Sequence, residues 1–303
     1  MSYQKSLVAL LALASLVSAG PIVTKRQAYA VTDAEILNYA LTLEHLEATF
    51  YREGLANYSQ AAFVAAGYAD PFYANLQEVA SDEKTHVDFL TSALGPAAVA
   101  ECTYLFPSTD PASFVALASV LEGVGVSAYL GAAADIMSAD YLTDAASILT
   151  IEARHNAYFR QELKESPFPQ AFDTPLDFDE VYTLAAPFIV SCPSTNTPLP
   201  VKAFPTLTLA TTGTINAGTT VTLVAPGLTI VAASGVQIYA AFITLTGPIF
   251  VPAEAIDGGE SGYSLVIPEG VAGQTYVVLT GCNEFVNDDT IVAGPAIIEI
   301  CDC

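Results

Sequence analysis

The stretch "SDEKTHVDFL" (residues 81–90) sets Glu83 and His86 three residues apart in a helical pattern, on the same face as Leu76, Val79 and Leu90. Only three histidines occur in the 303 residues, so directing one of them at apolar packing needs a physical reason. A second stretch, "TIEARHNAYF" (150–159), repeats the arrangement, with Glu152 and His155 on a face shared by Ala145, Ile148 and Phe159. Two other helical stretches also turn carboxylates inward. One carries Leu37, Ala40, Glu44, Glu47 and Tyr51 on a single face, the other Val115, Ala118, Glu122, Val126 and Tyr129.

These segments are duplicates of one another. "LEHLEATFY" (43–51) matches "LEGVGVSAY" (121–129) at Leu, Glu and Tyr, and "DEKTHVDF" (82–89) matches "IEARHNAY" (151–158) at Glu and His. The first two long helices therefore correspond to the last two. Glu44 pairs with Glu122, whereas Glu47 falls opposite Gly125 and is a secondary candidate.

A buried carboxylate without a partner costs several kcal/mol, and net stability is only about 5–15 kcal/mol. Four helices with inward carboxylates thus require neutralisation. Metal ions provide it, because carboxylate oxygens chelate and a neutral imidazole one turn away reaches the same ion. The alternative, buried ion pairs with Arg52, Lys84 or Arg154, needs cations on the inward stripes, and these three lie off them. His45 is also off the stripe and reads as a surface or packing residue. Tyr51 and Tyr129 either hydrogen-bond the ligand carboxylates or serve as core aromatics.

The remaining helix signals complete a bundle. Asp33 stands near the first helix start, Asp70-Pro71 and Asp110-Pro111 read as N-cap with proline at the first helical position, and Asp140 or Thr143 opens the fourth helix. A shorter fifth helix follows from about Asp177. The connection over 95–110 is long enough to cross the bundle. From about Pro198 the grammar changes: "TLTLATTG", "TTVTLVAPG", "GVQIYAAFITLTG", "GYSLVIPEG", "QTYVVLTG" and "GPAIIEI" are β-branched runs punctuated by Gly and Pro. The expected architecture is α + β in two domains, a four-helix bundle with a fifth short helix over 27–195 and an antiparallel, Ig-like β-sandwich over 196–303.

The N-terminus reads as secretory. A basic start, the run "LVALLALASLVSA" and a small-residue end form a signal peptide over 1–19, and Lys25-Arg26 marks 20–26 as a candidate pro-segment. No membrane span is expected after it. The formal net charge of −23 argues against nucleic-acid partners. In an oxidising compartment the five cysteines suggest one disulfide per half: Cys102 with Cys192, and Cys282 with Cys301 or Cys303. Asn57-Tyr58-Ser59 is a glycosylation sequon.

One Glu from each of two helices and Glu-x-x-His from each of the other two is the pattern of a carboxylate-bridged dinuclear site. On these residues, the segment over about 32–190 resembles the ferritin-like domain of secreted fungal proteins associated with stress, desiccation or sexual development. The resemblance implies Glu44, Glu83, His86, Glu122, Glu152 and His155 as ligands of two iron or manganese ions. It implies a secreted or cell-wall protein whose centre meets a small oxidant, with oxidase, peroxidase or catalase-type chemistry as the enzymatic expectation. The alternative is a non-catalytic stress or development protein, with the bundle as scaffold and the sandwich against cell wall or matrix. A storage shell is disfavoured by the extra domain and the glycan, and rubrerythrin-type electron transfer by the lack of a four-cysteine iron site.

Overall fold

A computed structural model describes residues 31–230, 236–260 and 262–301; the signal peptide, the pro-segment and Cys303 lie outside them. Four long helices form the bundle: α1 (Asp33–Asn57), α3 (Phe72–Leu94), α4 (Pro111–Ala132) and α5 (Ala139–Glu162), with a short α2 (Gln60–Ala65) after α1. The pairs α1 with α3 and α4 with α5 pack most extensively, as the duplication requires. Capping boxes fix three starts: Thr32 with Glu35 at α1, Asp110 with Ser113 at α4, and Asp177 with Glu180 at the fifth expected helix, α6 (Phe178–Ala185).

Two expected starts are corrected. Asp70 does not cap α3: the chain turns with the Phe72 N–H on Ala69 O, and Pro71 occupies the cap position with no side-chain bond. Helix α5 begins earlier than Asp140 or Thr143. Ser138 caps it by accepting from the Tyr141 N–H, and Asp33 of α1 accepts from the N–H groups of Met137 and Ser138 at 2.8 and 3.0 Å. That anchor joins residues about one hundred positions apart, which local pattern does not reveal.

The crossover between α3 and α4 carries β1 (Thr103–Tyr104), which pairs antiparallel with β2 (Ile189–Ser191) beyond α6. Cys102–Cys192 locks the same junction. Helix α4 is apolar enough to cross a membrane by length and composition, but it is the central core helix, and it buries Glu122 completely.

The C-terminal half contains two four-stranded antiparallel sheets. One is ordered β3 (Thr208–Leu209), β4 (Thr220–Val224), β8 (Tyr263–Val266), β7 (Glu254–Ala255); the other β10 (Ile291–Ile300), β9 (Gly273–Thr280), β5 (Tyr239–Phe242), β6 (Ile249–Pro252). Val221, Leu223 and Leu265 of the first sheet share one apolar core with Phe242, Val277, Leu279 and Ile298 of the second, which makes the pair a sandwich. Bundle and sandwich form one compact unit. Tyr276 of β9 is 2% exposed and exchanges hydrogen bonds with Ser127 and Gly123 O of α4, and buried Arg160 of α5 makes a bidentate pair with Glu299 of β10 at 2.7 and 2.9 Å. The pairing expected for Cys282 is corrected: it is a free, half-buried thiol, while Cys301 is disulfide-bonded.

Candidate metal centre

Apolar clusters fill the bundle at two levels and leave a polar layer between them. One contains Phe50, Phe63, Phe72, Phe114 and Phe159; the other contains Leu37, Leu41, Leu90 and Ile148. Glu44, Glu83, Glu122 and Glu152 are each 0% exposed, and His86 and His155 are only 8% and 7% exposed.

Their ligand atoms converge in two groups. Glu44, Glu83, His86 and Glu152 bring one atom each within 4.8 Å of one another, and so do Glu83, Glu122, Glu152 and His155. Glu83 and Glu152 belong to both, so the Glu-x-x-His glutamates are shared and Glu44 and Glu122 each serve one side. His86 Nδ1 lies 3.2 Å from Glu44 and 3.3 Å from Glu83; His155 Nδ1 lies 2.9 Å from Glu83 and 3.3 Å from Glu122. The i, i+3 spacing thus aims the same ring nitrogen inward on both helices.

The donor set fits a cation. Glu44 Oε2, Glu83 Oε1, Glu122 Oε2, both Glu152 oxygens and His155 Nδ1 are buried and make no well-aligned hydrogen bond; their nearest polar neighbours are the imidazoles and carboxylates of the same layer, such as His155 Nδ1 and Glu83 Oε1 at 2.9 Å. Buried polar atoms are otherwise almost always paired, and among the described residues these atoms all belong to the two groups.

The tyrosines are placed by the duplication. Tyr51 of α1 donates to Glu122 of α4, and Tyr129 of α4 donates to Glu44 of α1. Each fixes one oxygen of an outer carboxylate, and the other oxygen is the one that makes no well-aligned hydrogen bond. The symmetry breaks in two places. His155 Nε2 lies 3.2 Å from the Asp82 carboxylate, whereas the residue matching Asp82 on α5 is Ile151. Glu47 faces Gly125, where a Cβ would come 2.9 Å from Glu152 Oε2 and 3.1 Å from Glu47 Oε1, so a side chain there would crowd both carboxylates. Glu47 also lines an apolar cavity of about 90 Å³ with Leu43, Leu46, Val124 and Phe188. It lies beside the layer, outside both ligand groups. Asp82 was not singled out in the sequence, although its place beside Glu83 and the apolar residue at its duplicate position marked the asymmetry. His45 turns away, 3.2 Å from Val99 O. Asn57 is exposed at the end of α1.

The crowding of carboxylates and imidazoles shifts their protonation. Burial pushes Glu44 up to about 7, and burial with neighbouring carboxylates drives Glu47 and Glu152 well above the usual range. Glu83 is desolvated too, but His155 and His86 outweigh that and hold it down at about 2. Burial disfavours charge on His155, yet Glu122 and Glu83 overcome it and raise the imidazole to about 11; His86 is raised by Glu152, Glu44 and Glu83. Without metal, protons neutralise this layer. Cation binding must displace them.

The comparisons agree with the geometry. Residues 32–165 match the family model of the ferritin-like domain, and this stretch holds all six ligand candidates. Protein rds1 of Schizosaccharomyces pombe is 30% identical over 177 residues, covering 58% of this chain and 44% of that protein. The chain therefore aligns with less than half the length of this curated relative.

Proposed function

We propose that the helical half binds two iron or manganese ions through Glu44, Glu83, His86, Glu122, Glu152 and His155, and that the loaded centre acts on dioxygen or peroxide outside the cell, in stress protection or development. The observation that carries this reading is the set of six buried, poorly satisfied polar atoms converging in one layer between apolar clusters. A bound pair of such ions supplies redox equivalents and Lewis acidity to a small oxidant. The protein's share is positional. Tyr51 and Tyr129 hold Glu122 and Glu44 in one rotamer, Asp82 orients the His155 ring, and the apolar clusters above and below exclude water.

Secretion rests on the leader pattern over 1–19, and an extracellular setting suits both the Cys102–Cys192 disulfide and a glycan at Asn57. The test of activity is dioxygen uptake and hydrogen peroxide consumption by the iron- or manganese-loaded protein. Turnover lost in the Glu83→Ala, His86→Ala double variant supports an enzyme. A loaded protein that consumes neither oxidant contradicts the enzymatic reading and leaves the metal-holding scaffold.

A further inference from the structure

The bundle meets the sandwich on the outer side of α4 and α5. A cleft of about 320 Å³ opens there, lined by Arg154, Asn156, Phe168, Gln170, Asp173 and Gln274. Its size falls at the lower end of the range of small-molecule sites, about 300–1,000 Å³, and a junction between two packed halves is a preferred place for one. The floor is rigid: Gln274 Nε2 donates to Val120 O at 3.2 Å and to the Tyr276 hydroxyl at 2.9 Å, which in turn donates to Gly123 O at 2.8 Å.

The rim is held in place as well. It is the segment "ESPFPQAFDTP" (165–175), stiffened by Pro167, Pro169 and Pro175. Arg160 Nε donates to Ser166 O at 2.7 Å. The Pro169 ring sits against Gly273 so closely that a Cβ there would come within 2.4 Å of it. This fixed rim nevertheless presents Phe168 and Phe172 to solvent, 80% and 60% exposed. Of the two, Phe168 lines the cleft and offers it an exposed aromatic face.

The polar groups narrow the chemistry of that occupant. Arg154 makes no ion pair among the described residues, and neither Gln170 nor Asp173 has a hydrogen-bond partner there. Partial desolvation raises the Asp173 carboxyl above its ordinary value. Arg160 is already neutralised by Glu299. One free cation and one free anion leave the cleft without net charge, which selects neither anions nor cations, and a polar floor excludes a purely apolar ligand. What matches is a neutral ring compound with one apolar face and hydroxyls that donate and accept around its edge.

We propose that this cleft binds a saccharide, with a sugar ring stacked on Phe168 and its hydroxyls bonded to Arg154, Gln170 and Asp173. The inference is independent of the metal centre. Free oligosaccharide and wall polymer share this chemistry, and the experiment separates them. The full-length protein is titrated with the hexamers of β-1,3-linked glucose and of N-acetylglucosamine by calorimetry and saturation-transfer NMR, and is co-sedimented with insoluble glucan and chitin. The expected result is binding of a hexamer with Kd of about 1 mM or tighter, weakened at least tenfold in Phe168→Ala and in Asp173→Asn. Sedimentation in addition assigns the polymer as the source, and hexamer binding without it assigns free oligosaccharide. Both side chains are exposed, so the variants keep the wild-type melting temperature, which is measured alongside. Absence of binding to all four probes, or binding that neither variant weakens, overturns the proposal.

Discussion

Replacing Glu152 with Gln should make the metal-free protein more stable, the opposite of what removing a partner from a structural ion-pair network does. Both Glu152 oxygens are buried without a well-aligned hydrogen bond, the nearest polar atom to Oε1 being His86 Nδ1 at a long 3.4 Å, and an unsatisfied buried acceptor costs about 1–3 kcal/mol. The amide keeps the shape, needs no protonation on folding and supplies donors to a layer dominated by acceptors, so the expected gain is about 1–3 kcal/mol, or several degrees in Tm. The pH dependence follows from the direction of the shift. Glu152 is held well above its unfolded value, so folding must neutralise it at any pH above the ordinary carboxylate range, and that penalty grows with pH until the folded-state value is reached. The advantage of Glu152→Gln is therefore present at pH 7 and disappears toward pH 4, where the carboxyl is protonated in both states. Metal reverses the order: at a hundredfold excess over Kd an ion adds about 2.7 kcal/mol to the wild type, and the variant, lacking a shared ligand, gains less. The assay is urea denaturation and thermal melting of chelator-treated protein, with and without added Mn²⁺. A metal-free variant about 3–5 kcal/mol less stable than wild type, the signature of a broken buried ion pair, would refute the reasoning.

Tyr51→Phe and Tyr129→Phe each free one oxygen of an outer carboxylate, Glu122 or Glu44. Each should weaken metal binding about 10–100-fold, to a similar extent because the two contacts are duplicates, as read by competitive chelator titration. Asp82→Asn touches only the His155 side. It should lower the affinity of one binding step by about tenfold and leave the other unchanged in a stepwise Co²⁺ titration followed by absorbance; equal loss in both steps would contradict the assigned asymmetry. With His86 raised and His155 at about 11, the metal-free centre holds protons at neutral pH. Metal uptake should therefore release them in weakly buffered solution and weaken as pH falls.

The helical half was legible because its chemistry repeats. Glu83 with His86 and Glu152 with His155 each sit at i, i+3, and the matching glutamates at 44 and 122 follow from the same duplication, so spacing alone brought these six side chains together. Capping was legible where it is local, as at Asp110, and failed where it depends on distant groups, as at Ser138 with Asp33. The strand runs were legible from β-branched residues between glycines and prolines, although "IFVP" (249–252) escaped because it follows the preceding run closely. The Arg160–Glu299 pair, the Asp82–His155 contact and the notch at Gly125 join elements remote in sequence, and nothing local encodes them. Cys282 was paired by count, and its free state is a matter of position in the sandwich that spacing does not convey.

The central claim is that Glu44, Glu83, His86, Glu122, Glu152 and His155 form a dinuclear metal site, and metal content tests it most directly. Elemental analysis of the purified protein, reconstituted with iron or manganese and freed of loosely bound ions, should give close to two ions per chain, falling to near zero in the Glu83→Ala, His86→Ala variant. A wild-type protein that retains no metal after reconstitution would contradict the account.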